Sequence, residues 1–327
     1  MPSNRPLLPV IAGPTASGKS ALAAELALRM NGEVISADSM QVYRGLPVGT
    51  AQPSETERRG VPHHLIGFLP LSESYSVARY AQDARRVMDE VRSRGRLPIL
   101  CGGTGLYIDA VTDNLQFLGE GGDPLLRREL ARRAEEEGIG ALLNELHAVD
   151  PETAERLHPN NRGRILRALE LYQTTGLTMS EQLRRSRAEP PPFEARVIRL
   201  DCRDRAALYA RIDRRVDAML EAGLLDEARR ALSSPNASTA LQAIGYKELK
   251  PFFEGTRTLA EATDNLKQAT RRYAKRQLTW FRRRAGATTL YIDDYAAPER
   301  LADAAQVLLS GEAVSFDPSE LSKEKRR

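Results

Sequence analysis

The chain is short of cysteine and histidine and has no long hydrophobic run, and each shortage removes a class of protein. Only two of its 327 residues are cysteines, Cys101 and Cys202, and no Cys-x-x-Cys pair occurs. Neither a disulfide framework nor a structural zinc site is supported. Of four histidines, two stand together as His63-His64. Read as a loop, the pair points apart and has no third ligand nearby, which argues against a metal site. No apolar stretch approaches the roughly 18 residues that cross a bilayer, so no membrane partner is expected. The apolar run after Met1-Pro-Ser-Asn-Arg-Pro6 is too short for a secretory signal and serves better as a first strand. No internal repeat is present. With 41% hydrophobic and 28% charged residues, the chain reads as a cytoplasmic globular protein of one large or two moderate domains.

The most informative stretch is Gly13, Pro14, Thr15, Ala16, Ser17, Gly18, Lys19 and Ser20, between Leu7–Ala12 and the helix-like Ala21–Leu28. Strand, glycine-rich turn and helix in that order make a phosphate loop. Its N–H groups point inward at a positive helix end, Lys19 reaches the terminal phosphate, and the Ser20 hydroxyl is placed to hold Mg2+. The loop reads a phosphate chain and leaves unread whatever is attached to it.

Further along, Glu33–Asp38 reads as a second strand ending in a carboxylate, followed by the polar Ser39–Gly45. In a doubly wound sheet Asp38 then shares a rim with the phosphate loop. A carboxylate beside polyphosphate could coordinate a metal, accept a proton or cap the next turn. Helical spacing over Tyr75–Arg94 stops at Gly95, and the buried strand Leu97–Cys101 opens into Gly102-Gly-Thr-Gly-Leu-Tyr107, where Thr104 offers a hydroxyl toward the same rim. That second glycine-rich turn fits ligand contact and simple turn chemistry equally well.

From about Gly119 the pattern becomes purely helical, closing at Pro190-Pro-Pro192. Within Arg162–Glu170, Arg164 and Arg167 fit either phosphate contacts or surface pairs with Glu170. Val197–Leu200 resumes the sheet, and Arg211–Leu220 forms a helix able to aim an arginine at the phosphate site. Leu241–Glu248 gathers polar and aromatic groups around Gly245. The long helix over Thr263–Arg284 has an inner stripe of Leu266, Tyr273, Gln277, Trp280 and Phe281, its aromatics assigned to the core. Its outer side, Lys267, Arg271, Arg272, Lys275 and Arg276, suits an RNA backbone. A last strand, Thr288–Ile292, and a helix, Arg300–Leu309, close the fold. The net charge of +4 is modest, so this clustering carries the nucleic-acid reading.

Seven motifs resemble, in order, those of the tRNA dimethylallyltransferases (isopentenyltransferases): Gly13–Ser20, Ser36–Gly45, Pro62–Leu65, Gly102–Tyr107, Arg167–Glu170, Ile244–Glu248 and Tyr273–Arg282. The resemblance implies a P-loop kinase-like α/β fold, a parallel sheet with flanking helices. Its catalytic core would span 1–118 and 193–315, with a tRNA-contacting helical insertion at 119–192 and a flexible tail at 316–327. It also implies transfer of a dimethylallyl group from dimethylallyl diphosphate to the exocyclic amine of the adenosine 3′ of the anticodon, in tRNAs reading codons that begin with U. Family members use the loop for a prenyl diphosphate instead of ATP.

On that reading Asp38 accepts the proton of the amine, and Thr104 donates to the oxygen bridging carbon and phosphorus. Gly13–Ser20 hold the diphosphate with Mg2+ on Ser20, and Arg211 is added as a further clamp. The implied tRNA contacts, made to the anticodon stem-loop, are Asp38, Ser39, Met40, Gln41, Thr104, Arg127, Gly163, Arg164, Arg167, Gln242, Gly245, Tyr246 and Lys247, and a monomer is expected. Two positions depart from the family pattern. Asn161-Arg162 replaces a frequent Asp-Pro and leaves a helix start in question, and Gly67 stands where Asp is common. A metabolite kinase, an AMP prenyltransferase and a non-catalytic RNA-binding protein are the competing readings.

Overall fold

The computed structural model describes residues 5–117, 123–234 and 239–311. The expected tail, 316–327, lies outside them, as does Gly119. Two compact units emerge, one from Met1–Val111 with Pro192–Arg327, the other Thr112–Pro191.

The first unit opens with β1 (Leu7–Ala12), α1 (Lys19–Arg29), β2 (Gly32–Ser36), α2 (Glu55–Arg58), β3 (His63–His64), α3 (Val77–Ser93), β4 (Leu97–Gly102) and α4 (Gly105–Thr112), whose last residue meets the unit boundary. The helical unit contains α5 (Pro124–Glu136), α6 (Ile139–Val149), α7 (Pro151–Glu155), α8 (Arg162–Thr175) and α9 (Met179–Ser186). The chain then returns to the first unit as β5 (Glu194–Asp201), α10 (Arg205–Glu221), α11 (Leu224–Leu232), α12 (Tyr246–Phe253), α13 (Leu259–Arg282), β6 (Thr288–Tyr291) and α14 (Pro298–Ser310).

All described strand pairs run parallel, in the order β3-β2-β4-β1-β5-β6. Strands β1, β2 and β4 are almost wholly buried, as expected of a parallel sheet covered on both faces. One face packs against α3, with Tyr80, Ala84, Met88 and Val91 in the seam. The other packs against α1 and α14 through Leu22, Leu26, Ala305 and Leu309. Because the strands are parallel, the ends of β1, β2 and β4 reach one rim, which is where ligands of doubly wound sheets gather.

His63 and His64 form an edge strand rather than a loop, paired with Val34 and Ile35. The His64 ring lies 2.6 Å from the buried Glu33 carboxylate, which also takes a 2.7 Å hydrogen bond from Arg94. The pair fastens a sheet edge. Among the described residues no cluster of three metal-ligating side chains occurs, and no helix is long and apolar enough to cross a membrane.

In the helical unit the core is formed by Leu130, Leu142, Leu146, Ile165 and Leu169. Buried Glu170 takes hydrogen bonds from Arg127 (2.9 Å) and Arg167 (2.8 Å). Helix α8 starts at Arg162 with Asn161 as its cap, but the Asn161 side chain makes no capping hydrogen bond.

Candidate active site

Three strand ends converge because glycines let them. Ala37 N–H donates to the Cys101 carbonyl (2.8 Å), and Thr104 N–H donates to the Ala37 carbonyl (3.1 Å). A Cβ on Gly102 would stand 2.1 Å from that same Ala37 oxygen, so no larger residue fits. The phosphate loop curls through left-handed conformations at Ala16 (φ 62°) and Gly18 (φ 82°), and α1 begins at Lys19. Its N-terminal N–H groups and dipole therefore face the loop's hollow.

A polar residue in the apolar stripe of α13 ties two of these loops together. Gln277 is buried; its Oε1 accepts from Thr15 N–H (2.9 Å), and its Nε2 donates to the Gly103 carbonyl (2.9 Å). Tyr273, one turn earlier, is half-buried and lines a cavity, so it is not a core aromatic. Burial pushes its phenol upward. Trp280 is 39% exposed, its indole N–H donating to Asp109 (2.8 Å).

The cavity encloses about 340 Å³ and brings together Thr15, Lys19, Ser20, Asp38, Arg215 and Tyr273. Lys19 is half-buried and its Nζ donates to the Pro14 carbonyl (3.3 Å). Burial lowers its pKa, Cys101 and Asp38 oppose that, and the Arg215 charge adds to it. Asp38 Oδ1 accepts from Met40 N–H (2.9 Å) and Gln41 N–H (3.4 Å), so the carboxylate does cap the next turn. Its other oxygen carries no hydrogen bond among the described residues. Capping and chemistry are thus compatible, one oxygen fixing the orientation of the other.

Arg211 reaches the loop. It is exposed, its Nε donates to the Ala16 carbonyl (3.1 Å), and it lines a second cavity together with Ser17 and Gly18. Arg215, one turn on along α10, lines the main cavity. Burial lowers its pKa, with Glu57 and Asp38 opposing. The Thr104 hydroxyl accepts from Ser39 N–H (3.0 Å) and stands 3.4 Å from Ser39 Oγ, outside the lining of the main cavity.

Of the other residues named from sequence, Ser39, Met40, Gln41, Gln242, Gly245 and Lys247 do line the cavity. Gln41 is held by its own side chain, receiving Ser36 Oγ (3.0 Å) and donating to the Ala51 carbonyl (2.9 Å). Tyr246 is fully buried and donates to Glu227 (2.9 Å), so its ring is not available to RNA. Arg127, Gly163, Arg164 and Arg167 belong to the helical unit.

The basic face of α13 is also redistributed. Lys267 pairs with Asp217 (2.6 Å) and Arg271 with Asp213 (2.5 Å), both on α10, and Arg276 lines the cavity. Arg272 and Lys275 remain exposed.

The model of one protein family, IPP transferase, matches residues 41–284. The chain belongs to the IPP transferase family. Consistent with this family, it is 46% identical over 280 residues to the tRNA dimethylallyltransferase of Bacillus subtilis (strain 168), covering 85% of this chain and 88% of that relative. Identity to the tRNA dimethylallyltransferase of Carboxydothermus hydrogenoformans is 47% over 275 residues, covering 84% and 88% respectively. Among solved structures, the full-length tRNA isopentenylpyrophosphate transferase of Bacillus halodurans superposes with a TM-score of 0.70 at 41% identity, covering 99% of this chain and all of that one. A eukaryotic dimethylallyltransferase captured acting on tRNA gives a TM-score of 0.81 at 30% identity, over 97% and 83% of the two chains. Against this family background the convergence of β1, β2 and β4 on one cavity is the candidate active site.

Proposed function

We propose that this chain transfers a dimethylallyl group from dimethylallyl diphosphate to the exocyclic amine of the adenosine 3′ of the anticodon, in tRNAs reading codons that begin with U. The observation that carries the reading is one cavity holding both a phosphate loop and a carboxylate with an unengaged oxygen, Asp38. An adenine amine is a poor nucleophile because its lone pair is delocalised into the ring. A positioned carboxylate that takes its proton as the new C–N bond forms removes that difficulty. On the donor side the C–O bond breaks and diphosphate leaves with the electron pair. Lys19, Arg215 and the N-terminal N–H groups of α1 then meet the growing negative charge.

The residues fit a magnesium ion. Ser20 supplies a hydroxyl at the loop, and Asp38 and Glu57 are carboxylates of the cavity lining, so most ligands would be diphosphate oxygens and water, as Mg2+ prefers. When bound, the ion would neutralise diphosphate charge. Gln277 acts without it, holding the loop and the Gly102–Thr104 turn at fixed separation. The base must leave its stack to reach Asp38, as in other base-modifying enzymes, and Gln242 and Lys247 at the cavity are suited to contact the surrounding RNA backbone.

The deciding experiment incubates the protein with radiolabelled dimethylallyl diphosphate and, separately, an anticodon stem-loop, AMP, or the stem-loop with adenosine replaced 3′ of the anticodon. Label is expected only in the unsubstituted stem-loop. Label in AMP, or in the substituted loop, would overturn the assignment.

A further inference from the structure

We infer that Leu224 is the stop that limits the donor's hydrocarbon chain to five carbons, and that the buried Glu227 carboxylate holds this stop in place. The inference rests on the diphosphate reading of the cavity and asks what its other end does. The cavity is polar at the phosphate loop, and where α10, α11, α12 and α13 border it, Val216, Met219, Leu224, Ile244 and Leu266 add apolar lining.

Helix α10 acts as a ruler between the two ends. Arg215 and Met219 both line the cavity one helical turn apart, about 6 Å at 1.5 Å per residue. A diphosphate at Arg215 therefore places the first carbons of its ester alongside Val216 and Met219. The helix ends at Glu221, the chain turns through Gly223 in a left-handed conformation (φ 95°), and Leu224 opens α11 across the path.

Leu224 is 1% exposed and sits beside two glycines: a Cβ on Gly49 would lie 3.1 Å from its Cδ1, and one on Gly245 4.0 Å from the same atom. Behind it, one turn along α11, Glu227 is 2% exposed and takes three hydrogen bonds. They come from Val48 N–H (2.9 Å), Gly49 N–H (2.6 Å) and the Tyr246 hydroxyl (2.9 Å). A carboxylate buried away from water is costly unless its lone pairs are engaged, and these three donors engage them. The contacts join α11 to the Val48–Gly49 segment and to the start of α12, the two segments that flank Leu224. Glu227 is a positioning residue: it touches no reacting atom, and it fixes the wall against which the chain ends.

The test measures transfer to the anticodon stem-loop from dimethylallyl diphosphate and from geranyl diphosphate, the ten-carbon homologue, in the same preparation. Using the ratio of the two kcat/KM values cancels any loss of folded protein. Leu224→Ala is expected to raise the ten-carbon to five-carbon ratio by at least about 10-fold, the scale on which a pocket discriminates hydrocarbon length. Met219→Ala provides a second opening along the same path and is expected to raise the ratio less. Glu227→Gln is expected to raise it as well, with a larger change in KM for the diphosphate than in kcat. An unchanged ratio in both Leu224→Ala and Met219→Ala would overturn the inference, as would a rise in KM for the stem-loop alone, which would assign the apolar end to the base. A wild-type protein that consumes neither diphosphate would instead sink the underlying reading.

Discussion

At the scale of single residues, Asp38 is decisive. One of its oxygens is committed to Met40 and Gln41 N–H groups, which leaves the other oriented and unengaged at the cavity. Asp38→Asn keeps a hydrogen-bonding oxygen for the turn and removes the proton acceptor. Single-turnover transfer is expected to fall by about 10²–10⁴-fold, the usual contribution of a positioned base. Stem-loop affinity, read by filter binding, is expected to change little. Retained transfer in this variant would remove the general-base role. Lys19 and Asp38 were legible from the sequence because motif and strand end mark them. Arg215 was not, because it sits four residues from Arg211 and spacing alone does not say which of two arginines one turn apart lines the main cavity. Gln277 does leave a signal: an amide in the otherwise apolar stripe of a long helix has to satisfy its polar atoms somewhere, and here it does so on two loops of the site.

At the scale of elements, the strands other than the short edge strand β3, the phosphate loop and the run of insertion helices follow directly from period and punctuation, while the use of charge along the helices does not. Helix α13 illustrates this. Lys267 and Arg271 lie four apart, and so do Asp213 and Asp217, so the two helices pair their charges at matching intervals. The complement lay fifty residues upstream, beyond what local reading could connect. Helix α8 makes the same point, with Arg167 and Arg127 both satisfied by Glu170, 1% exposed. Burial alone would raise the Glu170 pKa, but hydrogen bonds from Arg127 and Arg167 outweigh it and hold the carboxyl below its ordinary 4.5. A carboxyl depressed in the folded state adds stability above its ordinary pKa and loses it as pH falls through the depressed value. Glu170→Gln is therefore expected to cost about 2 kcal/mol near neutral pH, as for charge-assisted hydrogen bonds, and to cost less in acid below about pH 4. Urea unfolding followed at both pH values checks this. A cost that stays the same in acid would show that the ion pairs contribute nothing.

At the scale of the whole molecule, ligand binding and stability are one measurement, because whatever binds only the folded chain stabilises it. If the cavity is a diphosphate site, inorganic pyrophosphate with Mg2+ is a sufficient probe, since the loop needs no hydrocarbon to recognise phosphate. At a concentration about 100 times its dissociation constant it should add about 2.7 kcal/mol, a rise of roughly 5–10 °C in the melting temperature of a unit this size. Removing the metal with EDTA is expected to take away most of that rise, because two adjoining phosphates then meet Lys19, Arg215 and the helix end with no divalent charge between them. The arginines separate the geometric claim from a general effect of positive charge. Arg215 lines the main cavity and Arg211 holds the Ala16 carbonyl beside a second cavity, so Arg215→Ala should abolish most of the pyrophosphate shift, whereas Arg211→Ala should lower the starting melting temperature and leave more of the shift in place. Equal loss of the shift in both variants would mean that proximity to the loop, and not the face of α10 on which the charge stands, determines phosphate binding.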